Sequence, residues 1–332
     1  MTERQYTGVI LAAGRGSRMA PFSENHPKPV LPICNKPLIR YQIDTMKSLG
    51  IRKLIVLVGH KGYEVAKVLG DGSALGVEIR YVEQASTLGI AHAVGKLEPH
   101  IDSPFLLFLG DIFFLPSNMQ LMFRLFEEQG GGVVLATKEE PDPAAIRKNF
   151  SITLSPEGYA TRVVEKPRHT TNRLKGCGIY LFDPAIFDAI RRTPRTAMRD
   201  EYEITDSIQV AIYDGLPVRP ANVILEDINL TNPADLLLCN LIQARQMSPQ
   251  ELIGTETQIH SAARIEHSVL GSKVVIQNPI RVVNSVIFDG TRVTSETDFE
   301  NHILTPECTV DCTYLLQSVP ANLWTSNIPA PV

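Results

Sequence analysis

The chain has 332 residues, 44% of them hydrophobic and 20% charged, enough for one large domain and a smaller one. A formal net charge of −4 leaves no electrostatic footprint for duplex nucleic acid. No apolar run approaches the roughly 20 residues of a membrane span, and the polar start Met1-Thr2-Glu3-Arg4-Gln5 does not read as a signal peptide. The five cysteines, odd in number and mostly in apolar segments, read as reduced thiols of a cytoplasmic protein. Cys308 and Cys312 lack a partner pair at metal-ligand spacing and are read the same way.

The first apolar run, Gly8-Val9-Ile10-Leu11, reads as a buried strand of a parallel sheet, and it empties into a Gly-rich turn at Gly14 and Gly16. Such a turn presents backbone N–H groups suited to phosphate, and Arg15, Arg18 and Lys28 put positive charge beside it. The dinucleotide fingerprint fails at its third glycine, where Met19 stands, and Pro21 and Pro27 oppose an immediate long helix. The Gly-Lys-Ser/Thr of a P-loop is absent.

Strands and helices then alternate. A helix is predicted over 38–49, strands over 53–58 and 77–82, a helix over 90–97, and an apolar strand over 104–109 that ends at Gly110-Asp111. A helix over 117–128 and a strand over 132–137 continue the series. The alternation predicts an α/β domain, Rossmann-like and doubly wound on a mostly parallel sheet. Ligands of such sheets sit beyond the carboxyl ends of the strands, where Gly14, Gly59 and Asp111 fall.

After Gln246 the helical period vanishes. Aliphatics recur at about six-residue steps through Ile253, Ile259 and Ile265, then less regularly through Val269, Val275, Val282, Val286 and Val293. This predicts a short β-helix of about three or four coils in a second domain over 247–332, following a first domain over 1–246. A flat β-helix wall is a surface on which a second copy can dock, so a homo-oligomer is expected. Pro320, Pro329 and Pro331 read as an extended end.

Two acids follow apolar strands, Asp111 and, within Val223-Ile224-Leu225-Glu226-Asp227-Ile228, Asp227. Carboxylates at strand ends are hard oxygen ligands suited to Mg²⁺, with phosphates completing the coordination. Glu165-Lys166-Pro167, after Thr161-Arg162-Val163-Val164, adds an acceptor for hydroxyls and a point charge for phosphate.

Eight segments, in order over about residues 7 to 245, resemble the sugar-nucleotide pyrophosphorylases, the NDP-sugar nucleotidyltransferases. They are Leu-Ala-Ala-Gly-Arg-Gly-Ser-Arg-Met, Pro-Lys-Pro-Val-Leu-Pro-Ile-Cys-Asn-Lys-Pro, Glu-Gln-Ala-Ser-Thr-Leu-Gly-Ile-Ala-His-Ala-Val and Phe-Leu-Gly-Asp, then Val-Glu-Lys-Pro, Gly-Ile-Tyr-Leu-Phe-Asp-Pro, Glu-Ile-Thr-Asp-Ser-Ile-Gln and Glu-Asp-Ile-Asn-Leu-Thr-Asn-Pro-Ala-Asp-Leu-Leu. The likeness is greatest to the long glucose-1-phosphate thymidylyltransferase branch with a C-terminal left-handed β-helix. The resemblance implies condensation of a nucleoside triphosphate, dTTP or UTP, with a sugar 1-phosphate, giving NDP-sugar and pyrophosphate with Mg²⁺ as cofactor.

It also implies residue roles. Leu11, Ala13, Gly14 and Gly16 would hold the nucleotide, Gln84 and Gly89 its base, and Arg18 and Lys28 its phosphates. Asp111 and Asp227 would hold Mg²⁺, while Gly110, Glu165 and Lys166 would meet the sugar phosphate. The sequence departs from the family at Asn149-Phe150, where Tyr-Gly is usual, at Leu225-Glu226 before the second acid, and at Ile112 after the first. These departures leave open GTP or CTP with a sugar other than glucose. A non-catalytic regulatory paralogue and a dinucleotide oxidoreductase are the readings outside the class; His92 is read as a satisfied, partly buried side chain.

Overall fold

The computed structural model describes residues 5–14, 16–197 and 199–316; Arg15 and the proline-rich end lie outside them. The chain divides into two compact units, Met1–Arg15 with Gln42–Asp227, and Gly16–Tyr41 with Ile228–Val332. The division expected at residue 246 therefore falls inside the second unit.

The first unit is built on a nine-stranded mixed sheet. Its centre is parallel: β1 (Thr7–Ala12) lies between β2 (Lys53–Val58) and β4 (Phe105–Leu109), and β3 (Glu78–Glu83) flanks β2. The apolar runs of β1, β2 and β4 are buried on both faces, as in a sheet covered by helices on each side. β5 (Ile112–Pro116) leaves this sheet at Asp111, and β6 (Val133–Glu139) returns to it.

A hairpin of β7 (Phe150–Leu154) and β8 (Ala160–Glu165) follows, then β9 (Leu174–Phe182). β9 runs antiparallel to β4, β6 and β7, which joins the hairpin to the parallel centre. β10 (Val218–Asn222) pairs parallel to β6, and β11 (Ile224–Asn229) pairs with β5. An apolar run such as Ile179-Tyr180-Leu181-Phe182 carries no directional information, so the mostly parallel expectation gives way here to a mixed sheet.

The second unit contains the segment 16–41, the helix Pro233–Ala244 and a β-helix. The helix starts at a capping box in which Asn232 and Asp235 satisfy each other's backbone N–H groups. On its inner face Asn240 accepts from Cys34 N at 2.7 Å and donates to Pro32 O at 3.1 Å and Leu236 O at 2.9 Å. Phe22 stacks on Phe288, and Asn35 donates to Leu270 O. These bonds tie the basic segment of the sequence to the C-terminal half of the chain.

Three stacks of three parallel strands form the β-helix walls, one of them extended by an antiparallel fourth strand at Thr309–Asp311, with successive coils offset by seventeen residues. Corners recur with left-handed backbone at His267, Asn284 and Asn301, and at Glu256, Lys273 and Gly290. Glycine and asparagine adopt that conformation at least cost, which is why they appear at three of the six. The inward ladders are Ile259–Ile276–Val293, Ile265–Val282–Phe299 and Leu270–Ile287–Leu304. Val275 is thus displaced from the expected ladder by its neighbour Ile276, and Ile253 is exposed.

Asn240→Ala removes the acceptor of a buried N–H and a donor to Pro32 O, and is expected to cost about 1–3 kcal/mol in urea unfolding. An unchanged midpoint would show that these bonds do not hold the segment.

Candidate active site

The strands of the parallel centre end together. Ala12 lies beside Val58, and Val58 beside Glu83, while Leu11 lies beside Leu109. The residues that follow these ends, Ala13, Gly59, Gln84 and Gly110, therefore line one edge. Two of them must be glycine: a Cβ at Gly59 would come within 2.8 Å of Ala13 O, and one at Gly110 within 2.6 Å of Leu11 O. Gly110 N in turn donates to Leu11 O at 2.9 Å. Gly14 is exposed, with open space where its Cβ would be.

Beyond β3 the chain makes a second close approach. Gly89 has φ +108°, and a Cβ there would strike Tyr202 O at 2.4 Å. Tyr202 N donates to Leu88 O, and Ala91 N to Tyr202 O, so the turn is clasped on both sides of Gly89. Gln84 is 5% exposed, and its amide nitrogen lies 3.0 Å from His92 Nδ1. His92 also stacks on Tyr202, whose other neighbour is the Arg195 guanidinium.

Asp111 is half-buried at the turn between β4 and β5. The turn is fixed by a residue that the sequence reading missed: buried Gln42 donates from Nε2 to both Leu109 O at 2.9 Å and Ile112 O at 3.0 Å. A glutamine on the polar-looking face of a predicted helix gives no sign of this partner.

Asp227 stands in different surroundings. Its side chain is 0% exposed, Lys175 Nζ is 2.7 Å from its Oδ1, and Lys138 Nζ is 3.9 Å from the same oxygen. Lys138 and Lys175 face each other across the β6–β9 ladder. Glu226, 2.7 Å from Lys138, and Glu140, 3.5 Å from Lys138 and 3.9 Å from Lys175, complete the group. Burial works against the Lys138 charge, but Glu226, Asp227 and Glu140 outweigh it and hold its pKa above the usual value. Burial pushes the thiol of Cys177, next to this group, well up, and Asp227 adds to the rise. Among the described residues, no three His, Cys, Asp or Glu side chains form a ready metal cage.

Glu165 ends β8, with Arg199 Nη1 and Thr205 Oγ1 each at 3.5 Å and Lys166 Nζ at 3.7 Å. Lys166 has left-handed backbone, and its N–H donates to Asn149 O at 2.7 Å. In the second unit, Gly16 has φ +64°, and a Cβ there would come within 3.0 Å of the Lys28 stem. Lys28 is buried there, and Arg18 is exposed.

Residues 7–222 match the nucleotidyl transferase family, and residues 233–315 match a GlmU-like C-terminal hexapeptide region. The chain belongs to the nucleotidyl transferase family. It is 37% identical over 214 residues to the low-salt glycan biosynthesis nucleotidyltransferase Agl11 of Haloferax volcanii, a match covering 64% of this chain but 58% of that protein. It is 30% identical to a glucose-1-phosphate thymidylyltransferase of Streptomyces antibioticus, over 84% of this chain and 75% of the relative. A UTP–glucose-1-phosphate uridylyltransferase, AglF of Haloferax volcanii, is 35% identical over 62% of this chain and 84% of its own. Among solved structures, a Bacillus anthracis protein described as a glucose-1-phosphate thymidylyltransferase superposes with TM-score 0.65 at 26% identity, covering 73% of this chain and 96% of that one.

In this nucleotidyl transferase, Phe150 lies directly across the β7–β8 ladder from Glu165. Its ring is buried, stacks on Tyr180 and fills the space where a Cβ of Gly176 would be. The aromatic side chain is therefore taken up by the core, matched by a glycine on the neighbouring strand.

Arg199 bridges Glu165 and Glu203, with Nη2 3.0 Å from Glu203. Burial, opposed by Lys166 and Arg199, raises the pKa of Glu165. Burial and then the charge of Glu165 push Glu203 from 4.5 to about 7. A carboxyl group whose folded pKa is raised contributes stability that is present below pH 4.5 and lost as pH rises through about 7. Glu203→Gln, neutral at all pH, is expected to melt at a higher temperature relative to wild type at pH 8 than at pH 5. A Tm difference independent of pH would contradict the raised pKa.

Proposed function

We propose that this chain transfers a nucleotidyl group from a nucleoside triphosphate, dTTP or UTP, to a sugar 1-phosphate, releasing pyrophosphate. The observation that carries the reading is the shared carboxyl edge of β1, β2, β3 and β4, with Gly59 and Gly110 packed against Leu11 and Ala13. An edge of this kind, opening into a Gly-rich turn, offers backbone groups to a nucleotide at the place where open α/β sheets bind ligands. The thymidylyl- and uridylyltransferases among the relatives support the pyrimidine and the sugar phosphate.

In this reading Leu11, Ala13, Gly14 and Gly16 hold the nucleotide, Gln84 and Gly89 bound the base, and Arg18 and Lys28 balance the phosphates. Glu165 accepts from sugar hydroxyls, Lys166 holds the sugar phosphate, and Gly110 leaves room for both. A phosphate oxygen of the sugar 1-phosphate forms a bond to the α-phosphorus as the bond to the β-phosphate oxygen breaks, and pyrophosphate leaves in line. The attacking oxygen is already ionised, so no residue has to take a proton. Positioning and charge stabilisation supply the rate.

Asp111 fits Mg²⁺: it is a half-buried oxygen donor on a turn pinned by Gln42, and this ion is commonly held by one or two carboxylates plus substrate phosphates. When bound, Mg²⁺ supplies neutralisation of phosphate charge.

Pyrophosphate release with Mg²⁺, screened for dTTP and the four ribonucleotides against a panel of sugar 1-phosphates, is expected to show turnover with a pyrimidine triphosphate. Asp111→Asn should lower kcat at least about a hundredfold with its melting curve unchanged. Nucleotide binding without pyrophosphate from any pair would favour a regulatory protein, and near-normal kinetics in Asp111→Asn would refute the metal assignment.

A further inference from the structure

Asp227 raises a question that the proposed reaction leaves open. A carboxylate that holds Mg²⁺ must offer the ion a lone pair, and its charge must not already be spent on another cation. Here the Lys175 ammonium is 2.7 Å from Asp227 Oδ1, with that lysine side chain 5% exposed. Lys138 stands 3.9 Å from the same oxygen, and both lysines are held in register by the β6–β9 ladder. Their buried stems give neither ammonium a ready path into water.

We propose that Lys175 takes the place of a metal ion on Asp227, so that a divalent ion in this site rests on Asp111 without Asp227. The inference builds on the reading of Asp111 as the metal carboxylate. Three carboxylates, Glu140, Glu226 and Asp227, face the two ammonium groups, which accounts for the charge of the cluster to within one unit. Both Asp227 oxygens are buried, the Cys177 thiol lies beside the carboxylate, and Oδ2 is the oxygen that Lys175 does not hold. It is the oxygen still available to an ion, but a divalent ion there would share one carboxylate with a lysine in contact and a second close by. Repulsion inside a water-excluded cluster is screened little. Loss of Lys175 would remove that obstacle and turn Asp227 into a ligand. The departures at Leu225-Glu226 belong to the same arrangement, since Glu226 holds Lys138 at 2.7 Å.

The test is Mn²⁺ binding to the full chain, read by the electron paramagnetic resonance signal of the free ion, without nucleotide or turnover. Wild type is compared with three single-site variants, Asp111→Asn, Asp227→Asn and Lys175→Met, each with a melting curve. Asp111→Asn is expected to lose about tenfold or more in affinity, Asp227→Asn to stay within about twofold, and Lys175→Met to gain about tenfold. Adding Asp227→Asn to Lys175→Met should abolish the gain. A loss in Asp227→Asn equal to that in Asp111→Asn would overturn the proposal, as would unchanged affinity in a folded Lys175→Met. If Lys175→Met does not fold, the Asp227→Asn comparison decides alone. Retained affinity in Asp111→Asn would instead defeat the assignment of Asp111 on which the inference stands.

Discussion

The backbone of Leu11–Ala13 is packed so tightly between its neighbours that neither side tolerates a β-carbon, and the geometry of the first unit follows from that. Gly59 closes on Ala13 from one flank and Gly110 on Leu11 from the other, each approach shorter than a real Cβ contact allows. Parallel pairing sets the strand ends level, and the glycines keep them bare. What results is an edge of peptide groups and a turn that carries Asp111. The buried Gln42 amide, bonded to carbonyls on both sides of that turn, fixes the position of the acid.

Charge is managed differently on the antiparallel side of the sheet. Two networks sit there, the half-buried Glu165–Arg199–Glu203 and the buried Lys138–Lys175 with Glu140, Glu226 and Asp227. Burying charges costs desolvation that only close pairing repays, and removing one partner leaves the other exposed to the full penalty. The first network leaves a carboxyl group with a raised pKa, because burial penalises its charge and the neighbouring Glu165 carboxylate repels it. In the second, the ladder places two lysines opposite each other, a repulsive arrangement in itself, which three acids then offset.

Much of this was legible in the amino-acid sequence because the signals are local. The runs that became β1, β2 and β4 are apolar stretches that lead into glycine, and the strands fall within a residue or so of their expected bounds. The β-helix was visible as aliphatic steps of about six residues, although period alone could not choose between Val275 and Ile276 for the inside. What escaped depends on distant partners. The direction of β9 is set by strands far along the chain, and the attachment of 16–41 to the second unit depends on Asn240. Nothing in the sequence around Lys175 marks it, and only the ladder register brings it to Asp227. Phe150 stood out only as a departure from the family's usual glycine until Gly176 supplied a place for its ring.

Amide hydrogen exchange with and without dTTP or UTP is the most direct test of whether the bare strand edge seats the nucleotide. Slowed exchange on nucleotide binding is predicted in peptides spanning Leu11–Gly16 and Gln84–Gly89, with little change in the β-helix coils. Unchanged exchange at both segments, with protection elsewhere in a protein that still binds the nucleotide, would contradict the account.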